Sequence, residues 1–326
     1  MSRAKAIFLI LGIAALAYLV ERIGVTSIVT SLRQLRWWQF VLVCLPYAII
    51  MMVDTLGWRF AFARDRAPFF RLVGARLAGE ALNIVTAVGS VGGEAVKAWL
   101  ASRDVSEEES IASVVIAKTT NVAAQALFLF IGILVAWATL PIDADMLSGM
   151  MSMLVIEVLA VAGFFGVQMG GIVGRGGRLL VRFGVIDDAL AAGKLDAVLR
   201  GYYRHEWRRL SLSVGFHLLG WILGIGEAIV ILWALGVGPD PLLATVIETF
   251  GAGVRFATFF IPASVGAFEG ANAAAFKALG IGAGLGLAFS LARRARQLVW
   301  IMIGIVLLIV MRPDAKAVPA STRRAA

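Results

Sequence analysis

Residues 79–92 read GEALNIVTAVGSVG and residues 253–266 read GVRFATFFIPASVG. The two stretches align without a gap at an offset of 174 (253 − 79), so that Gly79 meets Gly253 and Ser90-Val91-Gly92 meets Ser264-Val265-Gly266. One inserted residue later the offset becomes 175. Glu94 then meets Glu269, Lys118 meets Arg293, and Asn121 meets Arg296. Each stretch lies in a longer apolar segment, 72–100 or 242–280, that is broken by glycine, proline and charge. Whether such a segment crosses a membrane once or doubles back decides the topology of the whole chain.

The surroundings are those of a membrane protein. Of 326 residues 60% are apolar and only 16% charged, with a mean hydropathy of +0.88, against about half and a quarter in ordinary globular domains. A spanning helix needs about 20 mostly apolar residues, and six segments supply them: 6–20, 38–61, 110–139, 146–169, 210–235 and 283–311. The first could be a signal peptide, but Ala15-Leu16-Ala17 sits inside the apolar run, which favours an uncleaved anchor. Thirty Lys and Arg against 21 Asp and Glu leave a net charge of +9. In such a chain that surplus reads as orientation signal and attraction to anionic headgroups, not as nucleic-acid binding. One cysteine (Cys44) allows no internal disulfide, and two histidines form no His-Glu-x-x-His pair. The composition calls for no cofactor and no metal.

If each broken segment crossed once, the basic loops at 59–76 and 170–209 would fall on opposite sides. If each is a hairpin with both ends on one face, the N-terminus, both basic loops and the 312–326 tail become cytoplasmic, as the positive-inside tendency requires. The connections carrying Asp143, Asp145 and Asp240 become external, and only Arg22, Arg33 and Arg36 disagree. The expected fold is all-α and polytopic: one transmembrane domain over 1–326, with six full spans and two re-entrant hairpins. Three single spans separate the hairpins, so 72–139 and 242–311 form pseudo-repeats in opposite orientation. Inverted repeats whose interrupted helices meet near the midplane are a transporter architecture; chance similarity between small-residue stretches is the alternative.

Ionisable groups at bilayer depth point to function. In the first hairpin, Glu80 and Asn83 share a helix face ahead of the turn containing Gly92, Gly93, Glu94 and Lys97. A helix restarting near Gly93 would offer free N–H groups to an anion; a plain bend with Glu94 and Lys97 paired among headgroups is the other reading. Ser106 and Glu109 have capping-box spacing at the start of the next helix, on which Lys118, Asn121 and Gln125 form one stripe. That stripe faces inward, unless Lys118 merely snorkels to the interface. In the second hairpin Glu248 and Arg255 lie two turns apart on one face, Pro262 is expected to end the incoming helix, and Gly266 and Glu269 follow. The last span holds Arg293, Arg294, Arg296 and Gln297 well after its expected start near Gly282. Glu248, Glu269 or an anionic ligand would partner these arginines, with Glu157 as a further candidate. His217 reads as a hydrogen-bonded bundle residue, and a helix near 186–209 as interfacial.

The Gly-Glu-Ala-Leu-Asn stretch, the Gly-Gly-Glu-x-x-Lys turn, the Pro-Ala-Ser-Val-Gly-Ala-Phe-Glu-Gly turn and the Arg-rich last helix together resemble the lysylphosphatidylglycerol synthase transmembrane region, a flippase-like integral membrane family. The resemblance covers roughly 5–311. Members fused to a cytosolic aminoacyl-transferase domain make and translocate lysyl-phosphatidylglycerol. With fifteen residues after Met311, synthase activity is not expected here. Stand-alone members are implied to handle lipids, and related ones are associated with hopanoid lipids. The family's Gly-Gly-Glu element falls on Gly92, Gly93 and Glu94, and its Pro…Gly…Glu element on Pro262, Gly266 and Glu269. Lys97 stands where many members carry Arg, and a lysine acts as a point charge, not a bidentate fork. The expectation is an inner-membrane flippase or transporter for an anionic or zwitterionic lipid. Membrane lipids, and in addition lipid-biosynthesis enzymes, would be its partners; the oligomeric state is left open. The alternatives are an intramembrane enzyme acting on a lipid and a scaffold of a lipid pathway.

Overall fold

The computed structural model describes residues 36–64, 67–85, 91–139, 144–170 and 189–311. Regular structure there is entirely helical. In chain order the helices are α1 (Trp37–Phe60), α2 (Phe69–Val85), α3 (Val91–Ala101), α4 (Glu107–Thr139), α5 (Ala144–Met169), α6 (Ala189–His205), α7 (Trp207–Ala234), α8 (Pro241–Ala257), α9 (Ala267–Ala278) and α10 (Ala283–Val310). A single 3-10 turn, Pro262–Ser264, precedes α9. Among the described residues four helices, α1, α4, α5 and α7, are long and apolar enough to cross a membrane. Helix α10 has the length, but its arginines interrupt the apolar run. The segment expected to span at 6–20, the hairpin turn with Ser90, part of the 170–209 loop and the 312–326 tail lie outside the described residues.

Local chemistry sets several boundaries. At the start of α4 the Glu109 amide donates to the Ser106 hydroxyl at 3.3 Å. Asp240 caps α8 by accepting from the amides of Leu242 (2.9 Å) and Leu243 (3.1 Å), with Pro241 in the first turn, where its missing N–H costs nothing. Pro262 does not end α8, which stops five residues earlier at Ala257. A proline excludes helix through its own position but does not require helix up to it. Here the chain leaves at Thr258, whose hydroxyl lies 2.7 Å from the Val254 carbonyl and 2.9 Å from the Ser264 hydroxyl.

The two hairpins enter from opposite faces of the bundle. At the base of the first, Arg71 in the first turn of α2 and Asp104 just after α3 form an ion pair. Arg103 close by donates to the Met311 carbonyl at 2.9 Å, and Tyr202 donates to the Phe60 carbonyl at 2.8 Å. Phe62, Leu72, Val105, Leu199 and Tyr202 share one apolar cluster there. The end of α1, both ends of the α2–α3 hairpin, the start of α4, helix α6 and the end of α10 therefore occupy a first face. At the second face, Leu235, Ala244, Phe276 and Phe289 pack together, and Ala136, Met146, Val246 and Ala275 form a neighbouring cluster. Both ends of the α8–α9 hairpin thus lie with the end of α4 and the start of α5. In a Cys44→Ser background, single cysteines replacing Arg71 or Asp104 should react with a membrane-impermeant thiol reagent from one side only, and those replacing Asp240 or Lys277 from the other. Labelling of Arg71 and Asp104 positions from opposite sides would overturn this arrangement.

The halves are interlocked. Helix α2 packs along α10 and α8 along α4, so each hairpin leans on the long helix of the other half. Both contacts pass over glycines. A Cβ on Gly132 of α4 would overlap Thr249 of α8, and one on Gly304 of α10 would overlap the Leu77 carbonyl and the Ala81 side chain of α2. Such close approach is how helices gain packing energy where lipid is as apolar as the side chains. The most extensive interface is between α1 and α7, and it is reciprocal. Gly57 makes room for the ring of His217, and Gly220 makes room for the carboxylate of Asp54. On the outside, α5 presents Val155, Ile156, Val158 and Leu159, an apolar surface that only lipid or another apolar partner can cover.

Candidate functional site

Charged side chains cluster in the interior in two tiers. The first lies toward the first face, around a cleft of about 70 Å³ lined by Trp58, Arg76, Glu80, Glu94, Lys97, Val114, Ala117, Lys118 and Asn121. Helices α2 and α3 bring their polar faces together because Gly79 and Gly93 touch backbone to backbone. Near the hairpin tip the Gly93 amide donates to Asn83 Oδ1 at 2.7 Å. Lys97, 7% exposed, lies 3.1 Å from Glu94 and 4.0 Å from Glu80. Arg76 lies 3.6 Å from Glu80 and 3.0 Å from Asp54 of α1. Asp54 in turn stands 3.2 Å from Nδ1 of the fully buried His217, which is 3.3 Å from the Asn121 amide. Three cations (Arg76, Lys97, Lys118) and three acids (Asp54, Glu80, Glu94) balance in this tier. Lys118 makes no hydrogen bond or salt bridge among the described residues and is exposed to the cleft.

The second tier belongs to α7, α8, α9 and α10. Glu248 of α8 accepts from Arg255 two turns along the same helix (2.8 Å) and from Arg293 of α10. Glu227 of α7 lies 3.3 Å from Arg293 and 3.2 Å from Arg296. Arg294 pairs with Glu269 at 2.7 Å and reaches Gln297 at 3.2 Å. The other oxygen of Glu269 accepts from the Gly266 amide at 2.8 Å, holding the first turn of α9. The guanidinium of Arg255 lies over Phe268 and Trp221, and that of Arg296 lies 4.0 Å from the centre of the Tyr47 ring. Four arginines thus face three glutamates, leaving one positive charge over. Nη1 of Arg296 is buried and has no hydrogen-bond partner among the described residues. Tyr47, on α1 seven residues before Asp54, stands between the tiers, within electrostatic reach of Arg76 and Glu80 on one side and of Glu227 and Arg296 on the other.

The residues singled out from sequence are therefore gathered, but into two neighbouring groups. Glu80, Asn83, Gly93, Glu94, Lys97, Lys118 and Asn121 sit around the cleft, with Gly92 half-buried beside it on α3. Glu248, Arg255, Gly266, Glu269, Arg293, Arg296 and Gln297 form the second group, and Pro262 opens the 3-10 turn at the hairpin tip. Gln125 faces inward with Lys118 and Asn121 but lies beyond the cleft, where its amide donates to the Ala252 carbonyl of α8 at 2.9 Å and clamps the halves together. One expectation needs correction. Among the described residues Glu157 partners no arginine, and both of its oxygens are buried without a hydrogen bond. Asp54, Arg76, Glu227 and Tyr47 were missed. Asp54 and Glu227 carried a usable signal, a lone acid inside an otherwise apolar span.

This arrangement is costly and specific. Taking a charge out of water costs several kcal/mol even after relaxation, so buried ion pairs at this density are weak contributors to stability. Their chemistry suits an anion or zwitterion: fixed cations, one of them in excess of the acids, with acids close enough to take over each guanidinium when a ligand leaves. A search of curated proteins finds no match, and a search of solved structures finds none either. A family model does match, over residues 5–305, and with it the helical bundle and the interior charges have a common setting: the chain is a multi-pass membrane protein belonging to the family described as lysylphosphatidylglycerol synthase TM region.

Proposed function

We propose that the protein binds the headgroup of an anionic or zwitterionic lipid and carries it across the bilayer. The observation that supports this best is the first-tier cleft, in which Arg76, Lys97 and Lys118 stand beside Glu80 and Glu94 inside a bundle with an apolar exterior. The cations would take the phosphate, and the acids an ammonium or hydroxyl group. The second tier would receive the headgroup on the far side of Tyr47, where Arg296 has an unused buried donor. The first face carries Arg59, Arg71, Arg103, Lys194 and Arg209, which fits a cytoplasmic side in a bacterial inner membrane. The family's description ties it to lipid handling, which agrees with a lipid as ligand.

The test is leaflet exchange of headgroup-labelled phosphatidylglycerol and phosphatidylethanolamine in proteoliposomes. Exchange well above that of empty liposomes is expected. Lys118→Gln should slow it roughly tenfold, the worth of one lost hydrogen bond to a charged group, without loss of folding, since Lys118 has no bonded partner among the described residues to abandon. Rates equal to those of empty liposomes for every lipid class tried would remove this reading. A lipid that emerges chemically altered would replace the carrier by an enzyme.

A further inference from the structure

Glu157 lies at the middle of α5, on the seam that faces the bundle. That seam runs through Met146, Met150, Leu154, Glu157 and Gln168, each buried between neighbours that are exposed or half-buried. Glu157 itself is 0% exposed, and among the described residues neither carboxyl oxygen has a hydrogen-bond partner. The charged groups on the elements packed against α5 are engaged elsewhere. On α4, Lys118 faces the cleft and Glu107, Glu108 and Glu109 occupy the first turn. On α8, Glu248 and Arg255 bind each other. On α6, Lys194, Asp196, Arg200, Arg204 and His205 belong to the first face, where α6 packs near Met169 at the far end of α5. No charged side chain among the described residues forms a hydrogen bond or an ion pair with the Glu157 carboxyl.

An ionised carboxylate cannot be held in that position. Without a partner it pays the full desolvation cost, and the usual outcome is that the group takes up a proton. A metal ion is not an alternative, since the described residues hold no cluster of three acids, histidines or cysteines. The proton is the one ligand a solitary carboxyl satisfies by itself.

The location gives that proton a use. One turn earlier on α5, Met153 packs so tightly on α8 that a Cβ at Gly253 would come within 2.9 Å of its sulfur. Helices α5 and α8 both start at the second face and run inward side by side, which brings Glu157 level with the end of α8, where the hairpin turns. The only basic residue of α8, Arg255, is two positions beyond Gly253 and is held on its other side by Glu248. While Glu157 is neutral the seam can stay dry. When it ionises, water or Arg255 must come to it, and either requires the second hairpin to shift.

We propose that Glu157 is the binding site of a coupling proton, carried while the second hairpin is packed as seen here and released when that hairpin moves. Its use in transport rests on the lipid-carrier reading above; its protonation does not. Two measurements separate them. In infrared difference spectra of the full-length protein in nanodiscs, taken between mildly acidic and mildly alkaline buffer, a carboxylic-acid C=O band should disappear on the alkaline side. Glu157→Gln should lack that band. In proteoliposomes with a gradient of one pH unit, the wild type should bias labelled phosphatidylglycerol toward one leaflet by up to about tenfold, the most that one proton can drive. Glu157→Gln should exchange the lipid at the wild-type rate without a gradient and leave it evenly distributed with one. An unchanged band in Glu157→Gln overturns the proton site. Equal accumulation by the variant, or exchange by the wild type that ignores the gradient, overturns the coupling. Should the wild type exchange no lipid at all, the carrier reading and with it the coupling fall, and the infrared result still decides where the proton resides.

Discussion

Arg293→Ala is expected to lower the stability of the folded protein by about 3–5 kcal/mol, the cost of removing one partner from a buried ion-pair network. Arg293 is 6% exposed and faces both Glu248 and Glu227. Without it, Glu248 keeps Arg255 and Glu227 keeps Arg296 as single partners, so the second tier changes from one positive charge over to neutral and both acids lose half of their buried donors. Denaturation of the purified protein in mild detergent, followed by circular dichroism, measures the loss. A shift below about 1 kcal/mol would mean that water reaches this tier and that its burial is overstated. The double variant Glu248→Gln/Arg293→Met should recover part of the loss, because the desolvation penalty of that pair goes with it, while Arg255 is left without its acid. It should nonetheless remain inactive in lipid exchange if the tier handles headgroups, and that contrast between stability and activity is the informative result.

Gly93→Ala should have the next largest effect. A Cβ there would overlap the backbone carbonyl of Gly79 and the side chain of Asn83. Asn83 could rotate away, but only by giving up its bond to the Gly93 amide, and the carbonyl cannot move without displacing α2. Overpacking of this kind costs about 1–3 kcal/mol. Prising α2 from α3 also separates Glu80 from Lys97, so the cleft should lose its shape, and exchange should fall by at least roughly tenfold. The comparison is Gly163→Ala on α5, where a Cβ meets nothing within 4 Å and no loss is expected. Equal behaviour of the two variants would show that the hairpin arms are not in backbone contact.

The helical bundle and much of the two tiers were legible in the chain because charge is conspicuous against lipid. The glutamate and arginine at positions 248 and 255 share a helix face by spacing alone, and they bond. The arginines at 293–296 had to turn inward because a span starting as late as Leu298 would be too short, and α10 does begin at Ala283. The partners across the bundle were not legible. Which helix lies against α1 is not written in periodicity, because α1 and α7 are apolar on nearly every side. The Asp54–His217 contact spans 163 residues of sequence and depends on two glycines, 57 and 220, that look like any others until the helices are seen together. Gln125 illustrates the same limit. Helical spacing put it on an inward stripe with Lys118 and Asn121, but nothing in that spacing says that α8 supplies its partner, the Ala252 carbonyl.

The bend at the tip of the second hairpin has one more implication. Ala263 and Ser264 both adopt left-handed backbone, with φ of 51° and 50°, a conformation that costs ordinary L-residues of order 1–3 kcal/mol each. Neither is glycine, so the tension is carried in the main chain itself and offset by the packing that surrounds it. The hairpin is in effect a cocked spring: any rearrangement that let these two residues unwind would be partly driven by what they already store, and the resting shape is held by its neighbours against its own inclination.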